Sequence, residues 1–355
     1  MLNLVKNLDG KFEFNVFTLN HEFRKPEEKL NVISNKWISF LSHTNVFYAS
    51  NETIKFSFIK HIILDLKPDI IYLNGLYEFN FLIFPIIIAR QNNIKVIQAP
   101  RGMLQKGALN IKPFKKKLFL SAFKFLNLHK NIHWHATDDQ EIDDIKSIFG
   151  KSADVYLAEV MPNLTQPETP ITLKKSGELN LITISLISEK KNHILVLKLL
   201  SKFKVNINYY IFGPIKDVYY WEKCEEIIKK LPKNIKVFYG GTLNPAEVES
   251  HLIRSHFFIL PTFGENFGHA LYEALNCGKP LIISNKTPWV NLEKSFAGWD
   301  LDLENQESFE KIIETCYHMN QTEYDILSNG AKKIAMNYIL NANFENKYNN
   351  LFNLT

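Results

Sequence analysis

The chain has 355 residues, enough for two domains of ordinary size with a core in each. Its 46% hydrophobic and 22% charged content is that of a globular protein rather than a disordered or fibrous one, and its three cysteines show neither paired nor metal-ligand spacing, which argues against a disulfide scaffold. Net charge is +5, yet of 42 basic side chains only four are arginine (Arg24, Arg90, Arg101 and Arg254), so the placement of each arginine is informative.

The opening MLNLVKNLDG holds no apolar stretch of signal-peptide length. FLIFPIIIA, at 81–89, is too short to span a bilayer and contains Pro85, so it reads as a buried helix and the chain is expected in the cytoplasm. Residues 1–9 read as the end of an amphipathic helix and 12–19 as a strand of alternating character. Residues 20–50 read mostly as loop, with a short strand at 46–48. Phe56–Leu66 has helical spacing, Pro68 and Asp69 lead into the strand IIYLN, 79–91 is a helix, and IKVIQAP is the next strand. Asn74 and Gly75 fall at the carboxyl end of the first of these strands. The repeated strand–helix alternation predicts an α/β fold with parallel sheets and right-handed crossovers.

Arg101 and Gly102 follow a buried strand, where an arginine is placed either to meet an anion at the sheet end or to pair with a carboxylate that fixes the loop. Between 102 and 137 there is no acidic residue, and IKPFKKKLFLSAFKFLNL alternates lysine with phenylalanine and leucine at helical spacing. Lys112, Lys115, Lys116, Lys117 and Lys124 then form a basic amphipathic patch that an anionic bilayer surface would attract; a merely solvated face is the plain alternative. Nucleic acid is not expected as a partner, because no recognised binding fold accompanies the patch and arginine is nearly absent from it. His133 and His135 share one face of the strand IHWHATD, but with no cysteine or third histidine nearby they read as core or loop residues, and no metal site is expected. Asp138 caps the next helix, with Glu141 in the capping-box position. YLAEVMPN reads as the last strand of this domain, and 164–177, rich in Thr, Pro and Lys, as a linker.

A second alternation starts with the strand LNLITIS and the helix in ISEKKNHILVLKLL, where Lys191 follows a strand and opens a helix. NINYYIFGP is a strand ending at Gly213, 217–231 a helix, and IKVFYGGTL a strand whose Gly240 and Gly241 allow close backbone approach. The stretch 256–289 then reads as strand (HFFILPT), turn (TFGEN), helix (GHALYEALNCG, closed by Gly278) and strand (PLIIS). Such a unit places the turn and the helix N-terminus at the carboxyl edge of a sheet, leaving the backbone N–H groups of Asn266, Phe267, Gly268 and His269 to meet an anion. Glu265 and Glu273 frame that turn. A carboxylate beside a phosphate site is a poor phosphate ligand, so both are better suited to accept hydrogen bonds from hydroxyls. Two hydroxyl readers flanking an anion site describe a nucleotide-sugar; the alternative makes Glu265 a dipole-favoured first-turn acid and Glu273 a solvated helix residue. Helices at 304–317 and 322–338 follow, and 339–355 closes the chain.

The run ENFGHALYE, followed by ALNCGKP and TPW, resembles the E-x7-E signature of retaining glycosyltransferase family 4, the glycosyl transferases group 1, of GT-B fold. PDIIYLNGL, APRGMLQKGAL, WHATDDQE, MPN and ISEKKN fall in the order that family shows. The resemblance implies two Rossmann-like domains facing across a cleft: an acceptor-side domain at 1–163, the linker 164–177, a nucleotide-sugar domain at 178–338, and 339–355 packed back on the first. It implies a hexosyltransferase-type enzyme that uses a nucleotide-sugar as substrate, with no cofactor and no required metal, and retains anomeric configuration. The acceptor would be a glycan or a lipid-linked sugar of surface polysaccharide such as lipopolysaccharide or capsule, met at the inner face of the plasma membrane. By position, Glu265 would meet the donor sugar, the N–H groups of Asn266, Phe267 and Gly268 its oxygens, and Glu273 the ribose. Lys191 would meet the diphosphate, Gly213, Gly240 and Gly241 would bind the donor, the last two near its base, and Arg101 would contact acceptor or donor. The chain departs from the family twice: it shows no first strand with a Gly-rich loop before its opening helix, and Leu186 stands where the family has an arginine. Those departures favour a competing expectation, a catalytically impaired GT-B protein that binds nucleotide or a partner. A sugar-nucleotide epimerase, acting without acceptor, is a third.

Overall fold

The computed structural model describes all residues except 23–24, 165–166, 168–171 and 354–355. They form two compact units, Met1–Met161 with Ala342–Thr355, and Pro162–Asn341.

In the first unit, α1 (Leu2–Leu8) buries Leu4, Val5 and Leu8, one stripe of an amphipathic turn. The chain continues into β1 (Phe14–Leu19). Residues 20–50, expected to be mostly loop, instead hold β2 (His21–Glu22), β3 (Lys25–Lys29), β4 (Trp37–Leu41) and β5 (Thr44–Ala49). β4 folds back antiparallel on β5, with Trp37 opposite Phe47 and their rings 5.4 Å apart. Ser39, Ser42, His43 and Asn45 interrupt the apolar residues, so the strand signal is weak until the hairpin pairs them. β1 runs parallel to β5, from Phe14 opposite Thr44 to Leu19 opposite Ala49.

A second, wholly parallel sheet is built from β6 (Ile70–Asn74), β7 (Lys95–Ala99), β8 (Ile132–Ala136) and β9 (Asp154–Leu157), in that order. α2 (Phe56–Leu66) leads into this sheet from β5, and its connections carry α3 (Phe84–Gln91), α4 (Lys106–Leu109), α5 (Pro113–Phe125) and α6 (Asp139–Phe149). The helix expected over 79–91 opens with a π turn at Phe79–Ile83, and Pro85 sits in the first turn of α3, where its missing N–H costs nothing. β1 and β6 do not pair with each other among the described residues. Alternate residues of β1 bond β5, as in Phe14 N–H to the His43 carbonyl at 2.9 Å, so Asn15, Phe17 and Leu19 direct their backbone groups away from it. On β6 the odd residues face β7, and Ile70, Tyr72 and Asn74 face away. Side chains join the two sheets: Phe17 and Ile71 both pack on Ile59, Ile63 and Ile88.

The second unit has one parallel sheet of β10 (Leu179–Ile184), β11 (Ile207–Phe212), β12 (Ile235–Tyr239), β13 (Phe257–Leu260), β14 (Leu281–Ser284) and β15 (Gly298–Leu301). Their order is β12-β11-β10-β13-β14-β15. Helices α7 (His193–Leu200), α8 (Val218–Ile228), α9 (Pro245–Ile253), α10 (His269–Asn276), α11 (Gln306–His318) and α12 (Gln321–Ala342) complete it. Every residue of β13 and β14 is buried, as in a sheet covered on both faces. This is the doubly wound nucleotide-binding order, and the winding reverses between β10 and β13, so a ligand crevice belongs outside the carboxyl ends of those two strands. Residues 172–177, expected within a linker, dock on this unit. Lys174 is buried, with its backbone N–H on the Gln321 side chain at 2.7 Å and its ammonium on the Lys175 and Met319 carbonyls at 2.8 and 2.9 Å.

The last helix, α13 (Phe344–Phe352), belongs to the first unit. Tyr348 donates to the Glu159 carbonyl at 2.9 Å, and Phe352 lies against both Phe14 of β1 and Tyr72 of β6, with ring centroids 6.2 and 5.7 Å away.

Candidate functional site

At the reversal point the loops after β10 and β13 are fastened together. The Lys190 carbonyl accepts from the Phe263 N–H at 2.9 Å and the Thr262 hydroxyl at 3.0 Å, and the Thr262 hydroxyl oxygen accepts from the Gly264 N–H at 3.2 Å. The Glu265 N–H donates to the Lys286 carbonyl at 3.0 Å, tying the same loop to the segment after β14. The buried Trp289 indole donates to the Phe267 carbonyl at 2.6 Å, and Trp289 packs at tilted angles against Phe267, Tyr272 and Tyr338 in an aromatic cluster. These bonds take up the N–H groups of Phe263, Gly264 and Glu265 and the carbonyl of Phe267. The N–H groups of Phe267 and Gly268 meet no acceptor among the described residues.

Gly268 caps α10 at φ +75°, and a β-carbon there would sit 2.8 Å from Leu271 Cδ1. Only glycine turns the chain into this helix without strain. The helix therefore presents its positive end at the sheet edge.

Two carboxylates and a lysine surround that end. Glu265 forms an ion pair with the Lys191 ammonium, both side chains being largely withdrawn from solvent. Lys191 lies in a single 3-10 turn, Glu189–Lys191, directly after β10. Burial, then the charges of Lys190 and Lys216, lower its pKa to about 8, so it remains mostly protonated at neutral pH, and the Glu265 carboxylate favours the same form. Glu273 lies about 6 Å down α10 from His269. Its side chain has no partner among the described residues, and burial raises its pKa to about 6. An unpaired, partly desolvated carboxylate one turn into the helix is an acceptor in want of donors.

The glycines after β11 and β12 serve close packing. A β-carbon on Gly213 would lie 1.9 Å from the Ser185 carbonyl, and one on Gly240 would lie 2.2 Å from the Phe212 ring. Gly241, at φ +72°, faces open space and accepts from the Gly213 N–H at 2.7 Å. Leu186 is exposed. His193, which nothing in its sequence context marked, is buried beneath the site; burial and the Lys191 charge take its pKa to about 4, so it is neutral, with Nε2 3.3 Å from the Ser185 hydroxyl.

The structure thus brings Lys191, Glu265, Asn266, Phe267, Gly268 and Glu273 to one sheet end of the second unit, whereas Arg101 lies in the first. There the Arg101 guanidinium donates to the Tyr72 hydroxyl at 2.8 Å and the Asn74 side chain at 3.1 Å. Glu141 does not complete the expected capping box. Its carboxylate accepts from the Gly102 N–H at 2.6 Å and from the Thr137 N–H and hydroxyl, both at 2.8 Å, so it fixes the Arg101 loop instead. His135 is buried between the Tyr72 hydroxyl and the Ala158 carbonyl with a pKa lowered to about 3 by burial and Arg101, and His133 pairs with Asp154 at 2.6 Å. Among the described residues no cluster of His, Cys, Asp and Glu could hold a metal ion.

On α5 the basic patch divides. Lys116 and Lys124 are turned onto the Ala108 and Ile148 carbonyls, while Lys112, Lys115 and Lys117 extend into solvent. Beside them Ile111, Phe114, Leu118, Phe125 and Leu126 are exposed, Phe125 to 85%. No described helix is long and apolar enough to cross a membrane.

Residues 166–333 match the family model of glycosyl transferases group 1. The chain carries a group 1 glycosyltransferase domain. No curated protein matches the chain, but solved structures share its fold. Sucrose-phosphate synthase from Thermosynechococcus elongatus superposes with a TM-score of 0.74 at 12% identity, over 98% of this chain and 91% of that one. WaaG, a glycosyltransferase involved in lipopolysaccharide biosynthesis, gives 0.67 at 12%, over 100% and 95%. Anabaena Alr3699/HepE in complex with UDP and glucose gives 0.67 at 13%, over 88% and 86%. The fold is therefore GT-B, with the group 1 domain spanning nearly all of the second unit.

Proposed function

We propose that the chain is a retaining glycosyltransferase that moves a sugar from a nucleotide-sugar donor to a glycan or lipid-linked acceptor in surface polysaccharide biosynthesis. The observation that carries this reading is the set around α10: an outward helix N-terminus, the Lys191–Glu265 pair, and the unpaired Glu273 carboxylate. The donor diphosphate lies at the helix end against Lys191, its sugar hydroxyls donate to Glu265, and its ribose hydroxyls donate to Glu273. As the bond from the anomeric carbon to the diphosphate oxygen breaks, the negative charge gathering on that oxygen is met by fixed dipoles and an ammonium, so no metal is needed in this scheme. The acceptor hydroxyl attacks from the face the diphosphate leaves and passes its proton to the departing diphosphate oxygen, which keeps the configuration.

Cytoplasmic residence, peripheral on the inner face of the plasma membrane, is supported by the exposed Phe114, Leu118 and Phe125 among free lysines on α5. Because HepE holds UDP and glucose, UDP-glucose is the first donor to assay, followed by other nucleotide-sugars. The test is release of nucleoside diphosphate that depends on added acceptor, with the anomer of the product read by NMR. Donor binding without turnover across the panel would favour the impaired binding protein, and product sugar formed without acceptor would favour an epimerase.

A further inference from the structure

The loops after β10 and β11 are joined by a short bridge that places a further lysine at the same sheet end. The Ile187 N–H donates to the Pro214 carbonyl at 3.0 Å, and the Ile187 carbonyl accepts from the N–H groups of Lys216 and Asp217, both at 3.1 Å. Ile187 is fully buried, so this bridge is fixed and Lys216 leaves it at a defined point. The Lys216 side chain is exposed and has no partner among the described residues. Its neighbour Asp217 forms no ion pair with it and instead caps α8 by accepting from the Tyr220 N–H at 3.0 Å. Lys190 extends over the loop after β13, with Nζ 3.9 Å from where a β-carbon on Gly264 would lie.

Three ammonium groups therefore converge on one sheet end that offers them a single bonded carboxylate, Glu265. Like charges held together with one counter-charge among them cost free energy; burial first, and then the charges of Lys190 and Lys216, lower the pKa of Lys191. The cluster is relieved by a ligand of more than one negative charge. We propose that Lys216 is the second cation of a diphosphate site, reaching in from the β11 loop to do what the exposed Leu186 cannot. The inference rests on the sugar-transfer reading for the identity of the diphosphate, and on the loop bridge and the unpaired ammonium for the residue.

The test is titration calorimetry of the full chain with UDP, ADP and GDP in turn, each against its monophosphate. Lys216→Ala weakens the diphosphate that binds by about tenfold or more and changes the monophosphate far less, since one charge-assisted contact to the outer phosphate is lost. Its melting temperature stays that of the parent, because the side chain supports nothing in the fold. Adding Leu186→Arg to Lys216→Ala restores the diphosphate affinity. A Lys216→Ala protein that binds the diphosphate as tightly as the parent, or loses mono- and diphosphate equally, overturns the assignment while leaving the sugar-transfer reading in place. A parent protein that binds no nucleoside diphosphate overturns both.

Discussion

Replacing Glu273 by glutamine should make the protein more stable and a poorer binder of nucleotide-sugar. In the folded chain burial raises this carboxyl from 4.5 to about 6. A raised carboxyl contributes stability that is fully present below the unfolded value and is lost as pH rises through the folded one. Above pH 6 the folded state therefore holds an ionised group it disfavours, at a cost of at most about 2 kcal/mol for a shift of this size. Partial solvent access reduces that, so a gain of about 1–2 kcal/mol is expected at pH 8, shrinking below about 1 kcal/mol at pH 5. For a unit of this size the upper figure raises the melting temperature by roughly 4–8 °C. Calorimetric scans of parent and Glu273→Gln at both pH values read the stability, and nucleoside diphosphate titration reads the affinity. A variant that gains nothing at pH 8, or gains equally at both pH values, refutes the claim that an unpaired, desolvated carboxylate waits here for hydroxyl donors. A gain in stability with unchanged affinity would keep the electrostatics and remove the ribose assignment.

Three further outcomes are expected. Gly268→Ala forces a side chain into the left-handed region and against Leu271, so it should cost about 1–2 kcal/mol by thermal denaturation and abolish diphosphate binding by displacing the first turn of α10. Diphosphate affinity should fall as pH rises through about 8, where Lys191 loses its proton, and a Lys191→Met variant should be weak and flat over the same range in a pH series of titrations. Phe114→Ser with Phe125→Ser should release the protein from phosphatidylglycerol vesicles in a sedimentation assay, with at most a small loss of stability because both rings are exposed; retention would remove α5 as the lipid contact.

Much of the second unit was legible because its signals are local. β10, β11, β13 and β14 are short apolar runs between turn residues, and the E-x7-E stretch carries loop, helix and both carboxylates within a few turns of chain. Its supports were not legible. The indole of Trp289 braces a carbonyl 22 residues earlier, and Lys216 reaches the Lys191 end only through the bridge at Ile187. Such contacts follow from sheet order, which periodicity does not reveal. β15 and α9 carry too few apolar positions to register as elements, and the β4–β5 hairpin becomes apolar on one face only when its strands pair. Glu141 shows how a correct local signal can mislead. It stands three residues after the cap residue Asp138, as a capping box requires, yet its carboxylate turns instead to Gly102, 39 residues away. Arg101 left two alternatives open in sequence, and its hydrogen bonds to Tyr72 and Asn74 give it a role in holding its own loop, whatever else it meets.

The difference in strand burial between the two units also bears on where backbone exchange is fast. No residue of β1 is fully buried and only Leu73 of β6 is, whereas β13 and β14 are buried throughout. Deuterium uptake should therefore be faster along β1 and β6 than along β13 and β14. Nucleotide bound at α10 should slow exchange in the second unit and leave that of β1 and β6 unchanged.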